Sequence, residues 1–182
     1  MTRTTTTTFL FNNTTSHDDI PSSLGCSWLI FPFHRFPTRV LLEENGIEAT
    51  GSLATFPDLG EPAAIASLIN LRREKDKPGG GQNTVLDTSS VTVSSDGQEL
   101  TFRLKTEIEV QKPELLMETY GVDRLFRITV AKASLRSNDG NILAVFASAL
   151  ETDFQGADGP ALEQTVQSFQ ALDLSKSTIS SS

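Results

Sequence analysis

Two carboxylates close one of the most apolar runs of the chain. Glu151 and Asp153 follow directly on NILAVFASAL and stand two residues apart. On a strand, positions i and i+2 share a side. The pair would therefore present hard oxygen ligands together, the donor type that calcium takes. Glu151 and Asp153 are the candidate cation site, with calcium as the candidate ion. A solvated strand end explains them more simply, because charged side chains are mostly exposed. Glu107 and Glu109 also share a face, but they alternate with Lys105 and read as solvent contacts. An enzyme reading would rest on Asp87, Glu151 and Asp153, and no nucleophile–base pair accompanies them.

The other chemistry-bearing residues are few. The single Cys26 rules out an intramolecular disulfide and any cysteine-cluster metal site. Nothing nearby supplies the electropositive setting of a reactive thiol. The two histidines, His17 and His34, both precede the clearly patterned region. Asp18 and Asp19 lie in the Thr-rich leader. The run Gly79-Gly80-Gly81 follows a helical pattern and lacks a subsequent Lys-Ser/Thr, so it reads as a surface loop and not a phosphate loop. Trp28 and Tyr120 read as packing residues.

Composition narrows the class. The chain has 182 residues, enough for one domain with its own core. Its formal net charge is −8, which suits phosphate backbones poorly and disfavours nucleic acid as a partner. An acidic chain is steered toward basic partners. No apolar run approaches the roughly 20 residues of a transmembrane helix.

The chain divides into three parts. Residues 1–38 read as irregular. MTRTTTTTFLFNNTTSHDDI is Thr-rich, with no acid before Asp18, and reads as disordered, either as an organelle transit segment or as sequence foreign to the mature protein. SWLIFPFHRFP is apolar, but Pro32 and Pro37 suit a loop or edge segment, not a central strand. His34 and the prolines also argue against a signal-peptide core. A domain is expected over 39–174, followed by a flexible tail, 175–182.

Inside that domain the pattern predicts two strands, RVLLEE (39–44) and ATGSLATF (49–56), about an Asn45-Gly46 turn. A helix follows over 59–75, with Ile65, Leu68 and Ile69 on one face and Arg72, Arg73 and Lys75 in its last turn. A meander comes next. VLDTSSVTVSS (85–95) and ELTFRLKTEIEVQK (99–112) flank Asp96-Gly97. After a link, ELLMETYGVD, a strand in which Phe126, Ile128 and Val130 alternate and a second over 141–151 flank Asn138-Asp139-Gly140. The second of these is apolar on both faces and reads as central. A closing helix over 156–172 is capped by Asp158 or Gly159, with Leu162, Val166 and Phe169 on one face. The expected class is α+β: a central antiparallel sheet flanked by helices, on one face or on both.

Several of these segments, in this order, resemble the PsbP family of extrinsic proteins of photosystem II. The resemblance is carried by VLLEENGIEATGSLATF, FPDLGEPAA, TVLDTSSVTVSSDGQELTFRLKTEI, LFRITVAKASLRSNDGNILAVFASALETDF and GPALEQTVQSF, over roughly 39–172. It implies an α/β/α sandwich. It also implies a non-catalytic accessory subunit, peripheral on the thylakoid membrane in the chloroplast lumen. The implied partner is a photosynthetic complex, photosystem II first. Core members of the family support oxygen evolution by helping to retain calcium and chloride; relatives assist assembly. The family's Gly-aromatic strand and Pro-x-x-Trp turn are not evident here, its metal-site histidines have no counterpart in the patterned region, and its docking surface is often Lys-rich where this chain is acidic. The same fold resembles that of a nuclear-import factor that binds a small GTPase. The alternative reading is therefore a GTPase- or protein-binding module outside the thylakoid.

Overall fold

A computed structural model describes residues 29–48, 53–75, 83–136 and 140–170. The leader as far as Trp28, with Cys26, His17, Asp18 and Asp19, lies outside the described residues, as do the Gly79-Gly80-Gly81 loop, Asn138-Asp139 and the 175–182 tail.

The chain enters through β1 (Leu29–Pro37), followed by the short helices α1 (Thr38–Glu43) and α2 (Phe56–Leu59) and then by α3 (Pro62–Lys75). The hairpin β2 (Thr84–Val93) and β3 (Glu99–Ile108) comes next. Helix α4 (Pro113–Tyr120) leads to a second hairpin, β4 (Leu125–Arg136) and β5 (Asn141–Leu150). Helices α5 (Glu151–Phe154) and α6 (Asp158–Gln167) close the described chain. The strands form one antiparallel sheet in the order β1-β5-β4-β3-β2.

Alternation along the strands separates two cores. On one face Leu100, Phe102 and Leu104 of β3, Ala131, Ala133 and Leu135 of β4 and Ile142, Ala144 and Phe146 of β5 pack with Phe36 against Leu41, Leu42, Phe56, Leu59, Ile65 and Ile69 of the first three helices. Phe102 and Phe146 meet edge to face, their centroids 6.3 Å apart, an arrangement that adds about 1 kcal/mol beyond burial. On the other face Val130, Val145, Ala147 and Ala149 pack under Leu162 and Val166 of α6. Helices therefore cover both faces, and the α+β class with a flanked antiparallel sheet is the observed one. The strand that is apolar on both faces, β5, is interior, with β4 at the centre.

The sheet also takes in β1, ahead of the boundary at residue 39. As its prolines require, β1 is an edge strand, with a register shift between Phe31 and His34. Neither of the two strands expected over 39–56 is formed among the described residues. RVLLEE is helix α1, with Leu41 and Leu42 buried beneath it. Asn45 and Gly46 end this helix and do not reverse a hairpin. The Asn45 side chain donates to the Leu41 carbonyl at 2.8 Å, and Gly46 adopts φ +73°. Residues 49–52 lie outside the described residues. Residues 53–55 are irregular and Phe56 opens α2, where the Asp58 carboxylate accepts the Thr55 N–H at 3.1 Å. The expected link ELLMETYGVD contains helix α4, opened by Pro113 and ended by Gly121 at φ +70°.

Candidate docking surface

The candidate cation pair comes out differently from its strand-end premise. Glu151 and Asp153 fall in the single turn of α5, where positions i and i+2 point to different sides. Glu151 is already engaged: its Oε1 accepts a hydrogen bond from Lys105 Nζ at 2.6 Å. Asp153 is exposed beside Thr152. Among the described residues no group of three or more His, Cys, Asp or Glu side chains gathers as a metal-binding cluster. Asp87, the third carboxylate singled out, binds the Ser89 N–H at 3.1 Å and its hydroxyl at 2.6 Å, which shapes the irregularity in β2.

His34 belongs to the fold, not to the leader. It stacks on Phe36 at 5.6 Å, meets Phe146 edge-on at 5.8 Å, and lines a crevice of about 70 Å³ with Arg35, Glu44 and Arg72. Arg73 lies in the last turn of α3, as expected, and points inward. It stands four residues after Ile69 and eight after Ile65, so it shares their face and is buried. Its guanidinium lies 4.6 Å from the Phe146 ring centroid and binds Glu74 at 2.8 Å. Burial pushes its pKa below the ordinary value, and the Glu74 carboxylate offsets part of that shift.

The open part of the molecule lies elsewhere. The α5–α6 unit covers β4 and β5 and reaches β3 through the Arg103–Glu163 and Lys105–Glu151 pairs, but leaves Val85 and Asp87 of β2 exposed on the same face. There, an open groove of about 670 Å³ runs between Asn83, the first four residues of β2, Lys105 and Glu107 of β3 and Phe126 of β4. A second groove, of about 360 Å³, shares Phe126 and continues along 121–125 to Glu151 and Thr152. Four carboxylates line the two grooves (Asp87, Glu107, Asp123 and Glu151) against two cations, Lys105 and Arg124. Both cations have local partners. Lys105 binds Glu151 and sits 4.2 Å from the Phe126 centroid, and Arg124 lies 3.6 Å from Glu107.

Apolar side chains gather at this end of the sheet. Val85 is 67% exposed, Leu115 53%, Met117 49% and Val122 41%. Three of them belong to the α4 connection, which joins the paired ends Ile108 and Leu125 of β3 and β4. Leaving such a side chain in water forgoes about 1.5–3 kcal/mol of burial. Single exposed apolar residues are ordinary; here three lie along one connection, with Leu115 and Met117 on different sides of α4, and they make this end of the sheet the candidate docking surface. Sequence reading missed this surface. The available signal was LLM between Pro113 and Gly121, a helix-start and a helix-stop residue eight apart with no burying partner in the pattern.

No protein family model, curated protein or solved structure matches the chain. No helix among the described residues is long and apolar enough to cross a membrane.

Proposed function

We propose that this chain is a non-catalytic binding module, acting as an extrinsic accessory subunit of a thylakoid photosynthetic complex, photosystem II first. The observation that carries the binding role is the bare, acidic and apolar surface at the β3–β4 end, with α4 presenting Leu115 and Met117 to solvent. What supports the place of action is the resemblance to the PsbP family. Its second hairpin, closing helix and flanked antiparallel sheet agree with the elements formed here. An acidic docking face would seek a basic patch on the complex, held by charge and by apolar contact.

One observation weakens the resemblance behind the first reading and leaves room for the alternative, a GTPase- or protein-binding module outside the thylakoid. The segment VLLEENGIEATGSLATF, which the resemblance would make two strands, begins with helix α1. Calcium association stays a proposal with the first reading, with no ligands assigned to it.

A salt wash of isolated thylakoids separates the readings. Probing the wash and the pellet for this chain should find it released by high salt. Its absence from both fractions, with recovery in the soluble extract outside the organelle, would transfer the conclusion to the second reading.

A further inference from the structure

Among the described residues, the edge of the sheet beside the groove is unpaired. Strand β2 has β3 on one side and no described strand on the other. The Glu107 N–H donates to the Asn83 carbonyl at 3.1 Å, so that position is a hydrogen-bonded one in the ladder. In an antiparallel ladder the next pair, Thr84 with Thr106, is not a hydrogen-bonded one. There the two hydroxyls meet instead, 2.9 Å apart. By the same alternation the backbone groups of Thr84 and Leu86 point away from β3, toward the free edge. Neither residue has a backbone partner beyond the sheet among the described residues. The register shift between Asp87 and Thr92, where Ser90 Oγ accepts the Arg103 N–H at 2.8 Å, ends this open stretch. The usable edge is therefore 83–87.

The side chains of that edge on the groove face are Asn83, Val85 and Asp87. Val85 is the most exposed large apolar residue described. Glu107 lies directly across from Asn83. An incoming strand would place an apolar residue opposite Val85, a cation opposite Asp87, and a second long cation opposite Asn83, within reach of Glu107.

We propose that residues 83–87 of β2 accept an extended basic segment of a partner protein as a sixth strand, recognised by backbone hydrogen bonds to Thr84 and Leu86 and by a cation–apolar–cation pattern on alternate residues. This names the partner chemistry of the docking surface and rests on that reading. Charge selects this occupant. The groove lining carries an excess of carboxylates. A second copy of the chain, itself at −8, is disfavoured by repulsion.

The probe is the peptide acetyl-Lys-Thr-Val-Thr-Lys-amide, titrated into the full chain and followed by amide NMR shifts and hydrogen exchange. Binding should slow exchange at the Thr84 and Leu86 amides. N-methylation of both threonines removes the N–H donors aimed at β2 and keeps the charges, and it should weaken binding by about tenfold or more. Val85→Lys, at an exposed position that leaves the core intact, should weaken it by about fivefold. Replacing both lysines of the peptide by glutamates should abolish it. Absence of binding, equal binding of the N-methylated or glutamate peptide, shifts confined to another surface, or protection of Thr84 and Leu86 by self-association without peptide would each overturn the proposal. Failure of the peptide with a chain that still associates with thylakoids would remove the edge and leave the accessory-subunit reading intact. Peptide binding by a chain that never meets thylakoids would do the reverse.

Discussion

Replacing Lys132 by methionine tests how helix α6 is held on the sheet. Lys132 points from β4 into the covered face and is nearly buried. Its ammonium donates to the carbonyls of Gln167 at 3.2 Å and Phe169 at 3.0 Å, and pairs with Glu99 at 3.0 Å. The two carbonyls stand at the C-terminal end of α6, where helix carbonyls lack intrahelical partners and the dipole favours a cation. Each hydrogen bond to a charged group contributes about 1.5–3 kcal/mol. Three effects offset the loss. Methionine keeps the apolar stem, the released carbonyls can rehydrate, and the desolvation of a buried ammonium is no longer incurred. Glu99 is 37% exposed, so its pair is screened and adds at most about 1 kcal/mol. The expected net loss is about 2 kcal/mol, with the midpoint of urea unfolding lowered at unchanged slope. Glu99→Gln should cost about 0.5 kcal/mol by the same assay. A Lys132→Met variant within about 0.5 kcal/mol of the parent would refute the view that this lysine secures α6.

Three further perturbations follow from the packing. A Cβ at Gly159 would overlap the Phe154 carbonyl oxygen, so Gly159→Ala must push α6 away from α5; a loss of about 3 kcal/mol in chemical denaturation is expected. Phe146 is fully buried against Phe102, His34 and Arg73, and Phe146→Ala should cost about 3–5 kcal/mol and lower the thermal midpoint by several degrees. The Asp96 carboxyl is held below the ordinary carboxylate range, first by the Ser94 hydroxyl and then by the Gln98 N–H. Its folded pKa is depressed, so its contribution is present above the unfolded value of about 4 and is lost as pH falls through the folded one. Acid unfolding of Asp96→Asn should be less steep than that of the parent below about pH 4.

The meander from β2 to β5 was legible because its cues are local. Asp96-Gly97 reverses a hairpin, with Gly97 at φ +74°, and the alternation of Leu100, Phe102 and Leu104 names the buried face. The closing helix was legible for the same reason, from Leu162 and Val166 one turn apart. Helix α1 was not. Val40-Leu41-Leu42 is too short a run to distinguish helix from strand, and Asn45-Gly46 serves a helix end as well as a hairpin. Helix α4 was announced by Pro113 and Gly121 but shows no buried face among its described side chains, so periodicity gave no support. The bare grooves depend on how far α5 and α6 reach across the sheet, and that reach is set by tertiary packing. Glu151 and Asp153 were visible as carboxylates, but their relation turned on whether β5 continued past Leu150. It gives way there to α5, and Glu151 meets Lys105.

The docking surface is tested most directly by rebinding to salt-washed thylakoids. The intact chain and a Leu115→Ser, Met117→Ser double variant are compared, with circular dichroism confirming that both are folded. Because both side chains are exposed, the fold should be unchanged. The account predicts that the parent sediments with the membranes and the variant stays in the supernatant. Equal sedimentation of the two would contradict the assignment of the α4 end as the surface that docks.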